Sequence, residues 1–319
     1  MHEKLEPMDC KQSSHILVIG AAGIDTKGHA GEPIRTGMST PGAIRVSVDG
    51  VGRDIAENLA RLGEPVVLLP AVGDDGSGRR ILGQARECGI DMGHVLVATG
   101  HCTAAYLAVL DQADNLVMSI DDTGVNEDVI TPGAIYKRVG LFQHACMVVL
   151  DANLKTAALR TIFKVARNYR VTVCVDPTTP NLAPRFSPFL PDLTMIAPNA
   201  VEGEAQCGVR VTDWESGLVA AQRRVSLGAQ IAIVTLGVTG IVYATSRESG
   251  HVPAIECDIV DLTGACDALT AAVVFALFNG FPMDEAVRLG ASAAALTLHC
   301  RETVCPTLSL ERLYDQMVI

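Results

Sequence analysis

Short apolar runs closed by Gly, Asp or Asn alternate along the chain with stretches of helical spacing. HILVIG (15–20) is the first such run and reads as a buried strand feeding a loop. In residues 53–62, Ile55, Leu59 and Leu62 stand at i, i+4 and i+7 with Gly63 behind them, which predicts a helix and its stop. PVVLLPAVG (65–73) predicts the next strand, DDGSG a polar turn, and residues 79–88 a second helix. Further strands are predicted at 147–151 (MVVLD), 171–176 (VTVCVD), 193–199 (LTMIAPN) and 231–237 (IAIVTLG), with helices at 154–169 and 214–227 between them. Strand and helix alternate at roughly 30–40 residues, the pattern of a doubly wound α/β domain whose mostly parallel sheet carries helices on both faces. Right-handed crossovers, and ligand loops at the carboxyl ends of the strands, follow as expectations.

Two segments break this rhythm. Residues 34–49 alternate apolar and polar positions, and residues 103–121 read as two strands joined by a polar turn at Asp111–Asn115. Both fit a small β-lid laid across the strand ends. No internal repeat or low-complexity linker is present, so the expectation is a flexible leader over residues 1–14 and one domain over 15–319, lid included.

Composition narrows the class without changing the fold. Hydrophobic residues are 49% and charged residues 19% of 319, enough to bury a large core. A net charge of −11 without a basic block argues against a nucleic-acid polymer as partner, but not against a small anion held by amides and a metal. The apolar helical run Ala268 to Pro282 falls short of the ~20 apolar residues of a membrane span, and the acidic start lacks a signal-peptide core. Ten cysteines without a CxxC pair point to mostly free thiols and a cytoplasmic location. Eight histidines form no HxH or HExxH spacing, which argues against zinc. Neither a GxSxG elbow nor a Walker A sequence occurs.

The candidate chemistry lies in five short stretches, each with a plainer alternative. In DLTGACD (261–267) the backbone amides of Gly264, Ala265 and Cys266 start a helix and Asp267 sits beside them. That arrangement suits developing negative charge and proton abstraction, or simply caps a helix. TLGVTG (235–240) could bring backbone to phosphate oxygens, or be a hairpin turn. Asn199 and Glu202, three apart in APNAVEGE, could organise hydrated Mg²⁺, or form a capping box. Asp25 in GAAGID could accept sugar hydroxyls, and Gly50 and Gly52 in DGVGRD could allow close approach to a ligand; turn chemistry would explain both.

Together and in order, these motifs resemble those of the ribokinase-like (PfkB-type) family of sugar and nucleoside kinases, over about residues 15 to 315. Within it, VIGAAGIDTKG, DGVGRDIAENLARLG, VLLPAVGDDGSG and RETVCPTLS are most similar to the pseudouridine kinases. The resemblance implies an ATP- and Mg²⁺-dependent kinase acting on the primary 5′ hydroxyl of a small nucleoside or sugar. Asp267 would be the general base and Gly264, Ala265 and Cys266 the anion hole. Asn199 and Glu202 would organise Mg²⁺, Thr235, Gly237 and Gly240 would line the nucleotide, and Asp25, Asp49, Gly50 and Asp54 would lie at the substrate. It also implies K⁺ at Asp261 as in several relatives, and admits a homodimer through the β-lid.

The chain departs from the family pattern in four places. Asp49 and Asp54 replace a glycine and an asparagine of the substrate loop, Cys266 the second glycine of GAGD, and Ala197 a lysine. A Cβ at 266 would strain a turn that needed positive φ. Two readings follow, an active kinase with an altered pocket and a kinase-fold protein that binds a nucleoside with little turnover.

Overall fold

The computed structural model describes residues 14–317, so the expected leader lies outside the described residues apart from Ser14. Eight strands form the core sheet: β1 (His15–Ile19), β4 (Val66–Leu69), β9 (Ala145–Asp151), β10 (Thr172–Asp176), β11 (Met195–Ile196), β12 (Ile231–Thr235), β13 (Ile241–Thr245) and β14 (Ser249–Val252). Their order is β14-β13-β12-β11-β10-β9-β1-β4, parallel from β12 to β4 and antiparallel at β13 and β14. A second sheet has the order β3-β2-β7-β8, from β2 (Gly23–Ala30), β3 (Gly42–Asp49), β7 (Ala104–Leu110) and β8 (Leu116–Asp122). A short pair, β5 (Ala71–Gly73) and β6 (Leu96–Ala98), joins the two.

The continuous apolar runs of the core strands follow from burial on both faces. Ile16, Val18, Val66, Leu68 and Met147 pack with Ile55, Leu59 and the helices Ala265–Phe278 and Met283–Leu298. The alternate residues Leu17, Ile19, Val67, Leu69 and Val148 pack on the opposite side with Phe142, Ile162, Phe163 and Phe186. A strand that alternates between two cores has no polar face to show in its sequence.

PVVLLPAVG is two strands, because Pro70 has no N–H to continue the ladder; β4 stays in the core sheet and β5 turns away to pair with β6. The strand expected over 193–199 is only Met195–Ile196, since Pro198 and the cap at Asn199 end it. In the second sheet, strand begins at Gly42 rather than residue 34, and Gly23–Ala30, which carries Asp25, forms a strand of its own. Among the described residues no helix is long and apolar enough to cross a membrane.

Candidate active site

DLTGACD leads into the helix Ala265–Phe278, with Gly264 as N-cap at φ 83°. A Cβ at Gly264 would clash with the carbonyl of Thr303, so both the left-handed backbone and the close approach require glycine. No side chain caps the first turn, which leaves its amides and the positive helix end available. Cys266 is an ordinary helical residue: the non-glycine residues at positive φ among those described are Asp114, Arg170 and Thr178. The strain expected for a side chain at 266 is therefore absent. Its thiol lies 3.9 Å from Thr235 Oγ1, and although solvent reaches the residue, desolvation of the sulfur and the charges of Asp176, Asp267 and Glu202 push it up to about 12.

Asp267 occupies the third helical position and is 8% exposed. Burial, then the carboxylates of Asp176, Asp54, Asp49 and Asp151, hold it well above the usual carboxylate range. These neighbours come from separate elements. Asp151 ends β9 and accepts from the amides of Ala21 (2.6 Å) and Gly52 (3.1 Å), tying the loop after β1 to the helix Val51–Arg61. Asp176 ends β10, accepts from Thr178 N (2.9 Å) and Thr270 Oγ1 (3.1 Å), and is raised to about 6 by burial, against those bonds and with the help of Asp151.

On the second sheet, Asp25 is 1% exposed and neither oxygen accepts a hydrogen bond among the described residues. Burial and Asp49 raise its pKa, while Lys27, 3.5 Å away, opposes them. By register, Ser47, Tyr106 and Asp121 share its row and face on the second sheet. Gly50 has φ 121°, and a Cβ there would stand 2.7 Å from Ala21 O; chain-to-chain packing, rather than a ligand, fixes this glycine. Asp54 is wholly buried and bound to Arg53 Nη1 at 2.6 Å, while Arg53 also pairs with Glu57. Burial and Asp49 raise its pKa against Arg53, and its Oδ2 has no hydrogen-bond partner among the described residues, so Asp54 is a buried carboxyl close enough to Asp267 to raise it.

Asn199 and Glu202 form a complete capping box on the helix Ala200–Cys207. Asn199 Oδ1 accepts from Glu202 N (2.9 Å), and Glu202 accepts from Asn199 N (2.9 Å) and Nδ2 (2.7 Å). The box faces the site, because Asn199 bridges Thr235, and Asp176 and Glu202 repel each other. Burial and Asp176 raise Glu202 to about 7. Asp176 and Glu202 would face a magnesium ion brought in on phosphates with its waters; among the described residues no group of three His, Cys, Asp or Glu could hold a metal. Two buried carboxyls that repel each other fit a cation brought in that way.

TLGVTG is the hairpin between β12 and β13, closed by a bond from Leu236 N to Gly240 O. Its glycines differ: a Cβ at Gly240 would clash with Val252 O, whereas one at Gly237 meets nothing within 4 Å among the described residues. Gly237 is the open glycine beside Thr235, and Gly240 serves the approach of β14. Asp261 has a cation of its own, since Lys27 Nζ contacts its oxygens at 2.9 and 3.0 Å and Thr263 Oγ1 at 2.6 Å. The ammonium thus pairs with the carboxylate at which K⁺ is expected.

Lys27, Arg53, Asp151 and Asp176 escape a reading by motif. The two aspartates could have been found as acids ending apolar runs, where parallel strands present ligands.

The model of the pfkB family carbohydrate kinases matches residues 13–308. The pseudouridine kinase of Escherichia coli (strain K12) is 31% identical over 301 residues, 94% of this chain and 95% of that protein. The guanosine-inosine kinase of Exiguobacterium acetylicum is 28% identical over 285 residues, covering 88% and 93%. The structure of Arabidopsis thaliana ribokinase complexed with ribose and ATP superposes with a TM-score of 0.85 at 20% identity, covering 97% of this chain and all of that one. This chain belongs to the pfkB family of carbohydrate kinases, phosphotransferases that use an alcohol group as acceptor.

Proposed function

We propose that this chain transfers the γ-phosphoryl group of ATP to the 5′ hydroxyl of a nucleoside, with pseudouridine as the acceptor. The supporting observation is a buried carboxylate, Asp267, in the first turn of a helix whose first amides are uncapped. Asp267 takes the proton of the attacking hydroxyl, while the amides of Gly264, Ala265 and Cys266 face the charge on the transferring group. Asp25 and Asp49 accept sugar hydroxyls from the second sheet, which acts as the lid. Thr235 and Gly237 border the nucleotide, and Glu202 and Asn199 meet the waters of Mg²⁺, which neutralises phosphate charge when bound. Pseudouridine is favoured over other nucleosides by the 31% identity to a pseudouridine kinase, while the 28% identity to a guanosine-inosine kinase keeps purine nucleosides in the test.

A second reading, binding with little turnover, is favoured by one observation: burial and the surrounding carboxylates raise Asp267 well above the usual carboxylate range, which works against its service as a base. Incubation with ATP, Mg²⁺ and a panel of pseudouridine, uridine, adenosine, inosine, ribose and fructose, with ADP and product measured, separates the two. ADP and a 5′-phosphate from pseudouridine are expected. A nucleoside-dependent thermal shift without product from any acceptor would sink the kinase reading.

The lid also carries the proposal of a homodimer. In the row Val46–Thr26–Leu107–Ile120, the three apolar side chains are exposed, as are Ile44 and Met118 in the next row. An outward apolar sheet face of this kind suits a second copy, and sedimentation would show it. Eight free cysteines among the described residues suit a cytoplasmic setting.

A further inference from the structure

Lys27 is absent from the chemistry above, yet it touches both halves of it. It lies on β2 two residues past Asp25 and therefore on the same face of the strand. Its ammonium donates to both oxygens of Asp261 at 2.9 and 3.0 Å and to Thr263 Oγ1 at 2.6 Å, and forms a longer ion pair with Asp25 Oδ2 at 3.5 Å. Asp261 Oδ1 in turn accepts from Thr263 N (2.9 Å) and Thr263 Oγ1 (2.8 Å), which shapes the turn running into Gly264. The carboxylate that sets the loop before the anion hole is thus held by a cation on the lid, 234 residues away in sequence.

Little else anchors that loop from the lid side. Ile259, Val260 and Leu262 are exposed, and its backbone reaches the core through Val260 N and Asp261 N, both on Leu298 O. A surface ion pair would carry little weight, but Lys27 and Asp261 are only 15% and 21% exposed and meet through both carboxylate oxygens.

We propose that Lys27 is a positioning residue that docks the lid strand on the loop 261–266. The anion hole then takes its working shape only while the lid is down over an acceptor held by Asp25. The inference rests on the kinase reading for its consequence, though not for its geometry. Without the ammonium, Asp25 and Asp261 repel each other, and the lid and the loop separate.

The test uses Lys27→Met, Asp261→Asn, the double variant and Lys27→Arg in the full chain. Lys27→Met should lower kcat by about 10- to 100-fold, the scale of a small misplacement of reacting groups, with KM for ATP changed far less. Asp261→Asn should lose a similar factor and the double variant no more than either, while Lys27→Arg restores part of kcat. Losses that multiply, or a Lys27→Met enzyme with unchanged kcat, overturn the proposal. Hydrogen exchange reads the dock without turnover: peptides covering 23–30 and 258–266 should both exchange about tenfold faster in Lys27→Met and in Asp261→Asn. Unchanged exchange in both variants overturns the proposal even if the parent is an active kinase. An inactive parent would remove the kinase reading and leave the exchange result to decide the dock.

Discussion

Replacing Glu202 by Gln isolates one charge in the crowded site while keeping its local structure. Glutamine at this position can still accept from Asn199 and complete the capping box, so the helix Ala200–Cys207 keeps its start. What changes is the buried charge. Glu202 is 5% exposed, and burial together with Asp176 raises it from 4.5 to about 7. A carboxyl raised in the folded state contributes stability below its unfolded value and loses it as pH rises through the folded one. At about 1.4 kcal/mol per pH unit across that interval, the ionised group costs about 3 kcal/mol by pH 8. Losing the charge-assisted bonds to Asn199 offsets about 1 kcal/mol. Glu202→Gln should therefore be more stable than the parent by about 2 kcal/mol at pH 8 and no more stable at pH 5. Denaturant unfolding of both proteins from pH 5 to 8.5, without nucleotide or metal, gives that difference directly. A difference independent of pH, or a parent that gains on the variant as pH rises, would refute the argument that Glu202 is held charged at a cost. Kinase activity should move the other way, since the variant has lost the charge proposed to meet hydrated magnesium.

Other outcomes follow from the same geometry. Asp267→Asn should lower kcat by about 10²–10⁴, and a near-parental rate would remove Asp267 as the base. The parent's kcat should rise with pH, because the base is useful only when ionised and its pKa is raised; a flat profile from pH 6 to 9 would contradict this. Cys266, exposed but held at about 12, should alkylate with iodoacetamide at least about a hundredfold more slowly than an ordinary thiol, read by mass spectrometry. Gly240→Ala should destabilise by well over 1 kcal/mol through its clash with Val252, whereas Gly237→Ala should cost about 1 kcal/mol for its positive φ and mainly weaken ATP binding. Equal unfolding midpoints for the two would contradict the different roles assigned to them.

The core of the fold is legible in the chain because each parallel strand is an apolar run with a breaker behind it. HILVIG, MVVLD, VTVCVD and IAIVT all fall on core strands within a residue or two. Legibility fails where pairing partners decide. Gly23–Ala30 has neither an apolar run nor a helical period, and it is a strand because Gly42–Asp49 and Ala104–Leu110 hold it on either side. The helix Met283–Leu298, rich in alanine and buried along most of its length, has too weak a polar face to stand apart from the preceding helix. Motif reading likewise singled out Asp267, Thr235 and Glu202 but not the residues that surround them. Gly50 and Gly240 looked like ligand glycines, and only the positions of Ala21 and Val252 show that packing requires them.

The same limit explains the electrostatics. Asp25, Asp49, Asp54, Asp151, Asp176, Glu202 and Asp267 are scattered over most of the chain, and each alone reads as a turn or a cap. The strand order gathers them at one end of the sheet, where burial raises Asp25, Asp54, Asp151, Asp176, Glu202 and Asp267, and neighbouring carboxylates add to it for all but Asp151. A site so built opposes a bare polyphosphate, and it favours one that brings a divalent cation. Under the kinase reading, such charge would also favour ionisation of Asp267, the proposed base, whose pKa burial and its neighbours raise. The tie proposed for Lys27 is complementary, joining the second sheet to the turn before Gly264 through Asp25 and Asp261. Cys266, the most conspicuous departure in the motif, bears on neither, because it is helical, neutral and unstrained.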